Sequence, residues 1–337
     1  MKKEKPSLSD LAKKLNVSTT TVSFILNDKG RTNQFSDALV KKVKKEALSL
    51  GYHPNQFAKS LRTGRTNIIG LMVEDISNPF YASIAKRIEE KVYLNGYRIA
   101  YCSTENDKKR AKEFLSMFTT LGVDGCIIAP PIGVEQDIKD MVEDGMHVVL
   151  FDRQFKNKAA DAVMVDNQLG MYTAVTHLID RGHQHIALIA LALDKPEKED
   201  RIIGYNQAIV DHGLDAQVYP LPFKVQPLDY VSEIRTILSE HRELDAVVFG
   251  TNYLGISGLE AIHQLNIRIP EDLAVVSFDD HDLFRIHKPS ISVVAQPIEE
   301  IAQTVIDTLL LKMKTPDEIN PAKTITLPTA LIARNSS

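Results

Sequence analysis

Residues 18–27, SerThrThrThrValSerPheIleLeuAsn, open with four consecutive hydroxyl side chains and then turn apolar. A hydroxyl both donates and accepts, and threonine adds a methyl. Ser18, Thr19, Thr20 and Thr21 therefore have the chemistry to bond to phosphates or base edges and to touch a thymine methyl, while Phe24 offers apolar contact and Asn27 an amide. Thr19, Thr20 and Phe24 are the natural readers of bases; the plainer alternative is a set of capping hydroxyls in an ordinary small bundle. Two other groupings have the composition of a catalytic centre: His183 and His185 near Asp180, and Asp279 and Asp280 beside His281. No GxSxG, Walker loop or HExxH accompanies either, and ArgGlyHisGlnHis reads equally well as the lead-in to a strand. Cys102 and Cys126 each sit in an apolar, strand-like run, which argues against a disulfide framework or a thiolate metal site. The expectation is a binding protein, not an enzyme, with no cofactor and no metal.

The hydroxyl run lies in a basic segment. Residues 1–65 hold 14 Lys+Arg against 5 Asp+Glu, a charge of +9, so the whole-chain value of −4 leaves −13 on the other 272 residues. A basic tail would need no apolar periodicity, and this segment has it throughout. Leu8, Leu11, Ala12 and Leu15 fall on one helical face, with Ser7 or Ser9 to cap it and Asn16 to turn the chain. Val22, Ile25 and Leu26 form the inner face of the hydroxyl run. A third stretch from Ser36 to Leu50 points Leu39, Val43, Ala47 and Leu50 inward, turns Lys41, Lys42, Lys44 and Lys45 mostly outward, and stops at Gly51. Three short helices make a small bundle, and a helix joined to another by a tight turn can present its N-terminal end to the major groove.

From Thr66 onward, apolar runs alternate with helix-length amphipathic segments. Strands are expected at 68–74, 97–102, 124–129, 147–151, 162–166, 185–190, 245–250 and 273–278. Helices are expected at 79–95, 108–120, 135–144, 168–181, 199–212, 229–241 and 254–265. Such alternation predicts doubly wound parallel sheets covered on both faces, and about eight to ten strands over ~270 residues exceed one comfortable core. Two similar lobes with a cleft between them follow.

The segments SerLeuSerAspLeuAlaLysLysLeuAsnValSerThrThrThrValSerPheIleLeuAsn and LeuGlyTyrHisProAsnGlnPheAlaLysSerLeuArgThrGlyArgThrAsnIleIleGlyLeuMet resemble the lactose/galactose repressor family of bacterial regulators, and the likeness runs nearly end to end. It implies an all-α helix-turn-helix headpiece (1–52), a hinge and linker (53–65), and an α/β two-lobed core similar to periplasmic binding proteins (66–337). The first lobe would take about 66–165 and 297–323, the second about 166–294 and 325–337. It further implies a homodimer on a pseudo-palindromic operator. The hinge helix maps to Asn55 through Leu61, with Leu61 matching the leucine wedged into a minor-groove step, which unstacks the bases and bends the duplex. Phe24 stands where many members carry an arginine that reads guanine, so half-site preference does not carry over.

In the core, the matching positions fall where the expected strands end: Asn78, Phe80 and Tyr81 after the first, Asp152 and Arg153 after HisValValLeuPhe, and Asp279 after ValValSerPhe. The resemblance adds Arg201, Thr251 or Asn252, and Gln296, with Asn252 at a position where aspartate is common. Acids, amides and arginines supply paired acceptors and donors for vicinal hydroxyls, and Phe80 or Tyr81 can stack on a sugar face. A sugar or sugar phosphate is the expected effector, although the same architecture serves regulators that sense nucleobases. Taken singly, Asp152 and Asp279 read as caps, Arg153 and Arg201 as ion pairs, and Phe80 as core. Asp166 and Asn167 read as a helix cap and lobe support. No apolar stretch long enough for a membrane span and no signal peptide is legible, which places the protein in the cytoplasm, at the nucleoid.

Overall fold

The computed structural model describes residues 6–26, 35–52, 64–156, 158–192, 199–223, 230–315 and 321–337. The chain divides into two compact units, Met1–Thr66 and Asn67–Ser337.

The first unit contains α1 (Leu8–Leu15), α2 (Thr19–Leu26) and α3 (Asp37–Ser49). Ser7 takes the cap of α1 in a reciprocal capping box with Asp10, and Asn16 ends the helix at φ 54°. Ser18 Oγ accepts from the Thr21 amide at 3.0 Å, starting α2 after a turn of three residues, 16–18. Leu11, Leu15, Val22, Ile25, Val43 and Ala47 form the core. Each helix thus buries one stripe, and Lys41, Lys42, Lys44 and Lys45 face outward.

The second unit holds two six-stranded sheets. The first contains β1 (Ile68–Val73), β2 (Arg98–Ser103), β3 (Gly125–Ile128), β4 (Val148–Phe151), β5 (Asp161–Val165) and β11 (Thr324–Leu327), in the order β2-β1-β3-β4-β5-β11 and parallel throughout. The second contains β6 (Ile186–Ala192), β7 (Gln217–Pro222), β8 (Ala246–Phe249), β9 (Ala274–Phe278), β10 (Ser292–Ala295) and β12 (Ala330–Ile332). Its order is β7-β6-β8-β9-β10-β12, and only β12 runs antiparallel. The inner strands are apolar on both sides because helices cover both faces: Ile69, Leu71 and Val149 join one core, and Met72, Cys126 and Leu150 the other.

The helices between the strands are α4 (Pro79–Leu94), α5 (Lys108–Leu121), α6 (Glu135–Glu143), α7 (Asn167–Asp180), α8 (Asp200–Asp211), α9 (Val231–Glu240), α10 (Asn252–Gln264), α11 (Asp282–Ile286) and α12 (Ile298–Lys314). The chain passes between the sheets three times: between β5 and α7, between β10 and α12, and between β11 and β12. Among the described residues, twelve strands replace the eight located from sequence. The four additional ones have physical reasons for their faint signal. β7 carries Pro220 and Pro222, which confine it to an edge, while β11 and β12 are short, half-exposed edge strands. β10 is buried, but of its four residues, Ser292–Ala295, only Val293 and Val294 are large and apolar.

Candidate functional site

Between the two sheets lies a cavity of about 510 Å³, lined largely by residues just beyond strand ends. Glu74 follows β1, Asp152 and Arg153 follow β4, Gly250 and Thr251 follow β8, Asp279 follows β9 and Gln296 follows β10. In open parallel sheets this is where the backbone splays and side chains converge.

Asp152 and Asp279 are structural counterparts. Each follows a phenylalanine at the end of the fourth-placed strand of its sheet, flanked by β3 and β5 in one case and by β8 and β10 in the other. Each is left-handed, with φ of 65° and 68°. Non-glycine residues adopt that region at a cost, and such strain concentrates at functional sites. Here it turns both carboxylates into the cleft.

On the first-lobe wall, Tyr81 Oη donates to Asp152 Oδ2 at 2.8 Å. Arg153 donates through Nη2 to Glu74 Oε2 at 2.9 Å and through Nη1 to Asn106 Oδ1 at 2.7 Å, and Asn106 Nδ2 donates back to Glu74 at 2.6 Å. Burial pushes the Glu74 carboxyl up, opposed by Arg153, and pushes the Tyr81 phenol far up, so Tyr81 remains a donor. On the opposite wall, Arg201 lies with Cζ 3.8 Å from the centroid of the Phe278 ring, donates through Nε to Asn167 Oδ1 at 2.9 Å and through Nη1 to the Gly250 carbonyl, and reaches within 4.0 Å of Asp279 Oδ2. Gln296 Nε2 donates to the other Asp279 oxygen at 2.5 Å. Burial raises Asp279 against the pull of Arg201.

Of the residues expected from sequence, Asn78, Phe80, Tyr81, Asp152, Arg153, Arg201, Thr251, Asp279 and Gln296 all line this cavity. Asn252 is not among the lining residues: it is 1% exposed, and its Nδ2 donates to Asn78 Oδ1 at 3.1 Å, tying the two lobes together. Phe80 is both wall and core, packed edge-on against Tyr81. Asp166 caps α7 and Asn167 holds Arg201. Sequence reasoning passed over Glu74, Asn106, Glu199 and Tyr253. Glu74 ends IleIleGlyLeuMetValGlu, so the strand-end rule that found Asp152 applies to it equally; Asn106 has no such local signal, because its partners are 32 and 47 residues away.

The groupings that resembled catalytic centres are engaged structurally. Asp245 accepts from the Gln184 and His185 amides, Asp280 forms a two-bonded pair with Arg334, and His281 caps α11. Cys126 is buried, which pushes its thiol up to about 12.

In the headpiece, Ser18, Thr19 and Thr20 are exposed at the start of α2, and Thr21 and Phe24 are half-buried. Ser18 and Thr21 are also occupied with each other, their hydroxyls 2.8 Å apart. Asn27, Asn55 and Leu61 lie outside the described residues.

Residues 7–55 match the bacterial regulatory proteins of the lacI family, and residues 175–337 match a periplasmic binding protein-like domain. The sucrose operon repressor of Pediococcus pentosaceus is 30% identical over 330 residues, covering 97% of this chain and 98% of that repressor. The chain belongs to the lacI family. It is a DNA-binding regulator of transcription. Among solved structures, a lacI-family regulator of Enterococcus faecium with bound ribose is 26% identical, with a TM-score of 0.71 over 80% of this chain and 98% of its own. The lac repressor dimer bound to operator and the anti-inducer ONPF shares the fold at 20% identity, with a TM-score of 0.83 over 99% of each chain. Among the described residues, no helix is long and apolar enough to cross a membrane.

Proposed function

We propose that this regulator is a cytoplasmic, non-enzymatic repressor of carbohydrate-related genes. It binds a pseudo-palindromic operator as a homodimer and is switched by a sugar held between its lobes. The observation that carries the effector reading is the convergence of Asp152, Arg153, Arg201 and Asp279 on one cavity, from two lobes and with both acids in strained backbone. Alternating acids and arginines match the donors and acceptors of vicinal hydroxyls, and Phe80 supplies an apolar wall. The sucrose operon repressor and the ribose-bound regulator support the same class.

On DNA, Thr19, Thr20 and Phe24 read base edges from the N-terminal half of α2, with Ser18, Thr21 and Asn27 beside them. Asn55 to Leu61 form the hinge, with Leu61 as the minor-groove wedge. One headpiece reads one half-site, so specific affinity calls for two. Two measurements test this reading. Selection of bound fragments from genomic DNA defines the operator, and calorimetry with sugars and with purines identifies the effector. Arg201→Ala and Asp279→Ala should abolish the effector response while leaving effector-free operator binding unchanged. Folded variants that still bind and answer the true effector like wild type would move the sensing site elsewhere.

A further inference from the structure

We infer that the effector is an uncharged sugar and that phosphorylated sugars are discriminated against. This rests on the sugar reading of the cleft and narrows it.

The first support is charge. Among the described residues, six carboxyl groups line the cavity: Glu74, Glu135, Asp152, Glu199, Asp200 and Asp279. Three described cations face them: Arg153, Arg201, and Lys156, which is exposed at the rim. Both arginines already have carboxylate partners, Arg153 with Glu74 at 2.9 Å and Asp152 at 4.0 Å, and Arg201 with Asp279 at 4.0 Å. A guanidinium with two bonds committed keeps donors for a neutral hydroxyl, but its charge is balanced. A phosphate monoester carries about −1.5 to −2 near neutral pH and would have to displace these partners.

The second support is independent of the first. Backbone amides at helix N-termini are the usual anion cradle, and several helices begin at this cleft. Two of them, α6 and α12, have no side-chain cap but carry paired acids in their first turns, Glu135 with Asp137 and Glu299 with Glu300. On α4, α10, α8 and α7 the end is filled by a side chain of the protein itself. Asn78 accepts from the Phe80 amide at 3.0 Å, Thr251 from Leu254 at 3.4 Å, Glu199 from Ile202 at 3.1 Å, and Asp166 from Leu169 at 2.8 Å. Two of the four caps are carboxylates, so these ends would repel a phosphate. Hydroxyls, in contrast, find acceptors on both walls.

The test is isothermal titration of the full chain with D-ribose, D-glucose and sucrose, each alongside its phosphate monoester, with adenine and hypoxanthine as a separate arm. The free sugar that binds should do so at least about tenfold more tightly than its ester, a difference set by the unbalanced charge. An ester that binds as tightly as the free sugar, or more tightly, overturns the inference while leaving the sugar reading in place. Binding of a purine with no response to any sugar or ester overturns both. A second measurement probes for an anion site without any sugar: thermal unfolding in orthophosphate against chloride of equal ionic strength. Wild type and Arg153→Gln should show the same difference in midpoint between the two salts. A phosphate-dependent rise in wild type that Arg153→Gln or Arg201→Gln removes contradicts the proposal.

Discussion

Asp279 combines three costs in one side chain: a left-handed backbone, a buried carboxylate, and a single arginine at 4.0 Å to offset it. Asparagine tolerates the left-handed region well and keeps an acceptor for Gln296. Because the folded-state pKa of Asp279 is raised above its ordinary 3.8, its stabilising share is present below that value and is lost as pH rises through the folded pKa. Asp279→Asn should therefore be more stable than wild type at neutral pH, with the advantage shrinking to nothing as pH falls below about 4, as followed by chemical unfolding across a pH series. It should lose the effector response as it gains stability. Glu74 makes the converse case. Glu74→Ala strips Arg153 and Asn106 of their shared acceptor and should cost roughly 1–3 kcal/mol, whereas Glu74→Gln, which keeps an acceptor, should cost less. Urea denaturation of the two variants separates charge from hydrogen bonding. The lining of the cavity was legible in sequence where a residue stood at the end of a strong apolar run, as Asp152 and Asp279 do, although Glu74, at the end of an equally strong run, was passed over. The site was not legible where the partnership is set by tertiary contact alone, as with Asn106, and adjacency to Thr251 does not say which of Thr251 and Asn252 lines the cavity.

Helices α7 and α8 pack so closely that a Cβ on Gly204 would lie 2.1 Å from the backbone oxygen of Gln168. Backbone cannot step aside as a flexible side chain can. Gly204→Ala should lower stability by about 1–3 kcal/mol, visible as a drop in unfolding midpoint, even though alanine is the better helix former. The same pair of helices carries Asn167 and Arg201, so the substitution should also weaken effector binding. At this scale the sequence reading was strongest. Eight strands, the edge strand β2 among them, announced themselves as apolar runs, and the seven helices expected between them fell within about two residues of their observed limits, the ordinary uncertainty of helix ends. What escaped were three edge strands, β7, β11 and β12, where prolines or half-exposure blur the pattern, the short inner strand β10, and the helices α11 and α12, which follow the last strand located from sequence.

Opposite charges are distributed between the two parts of the chain, +9 on residues 1–65 and −13 on the rest. Operator binding by the full chain should weaken steeply with salt, since each lysine or arginine contact releases condensed counterions. Affinity that stays flat from low to physiological salt, measured by titration on a fixed operator fragment, contradicts the headpiece reading. Linkage binds the two functions to each other: whatever factor the effector applies to operator affinity, operator must apply to effector affinity, typically a coupling of ~1–3 kcal/mol. The three passages of the chain between the sheets have a further consequence, for how the protein is made. β11 completes the first sheet and β12 the second, only a few residues apart and both near residue 330. As the chain emerges from the ribosome, neither lobe can finish ahead of the other, so the usual order of domains folding one after another during synthesis is closed to this core. A premature stop codon between residues 297 and 323 would remove β11 from one lobe and β12 from the other in a single event. Late nonsense mutations should therefore behave as complete losses of the regulator, leaving no half-functional lobe behind.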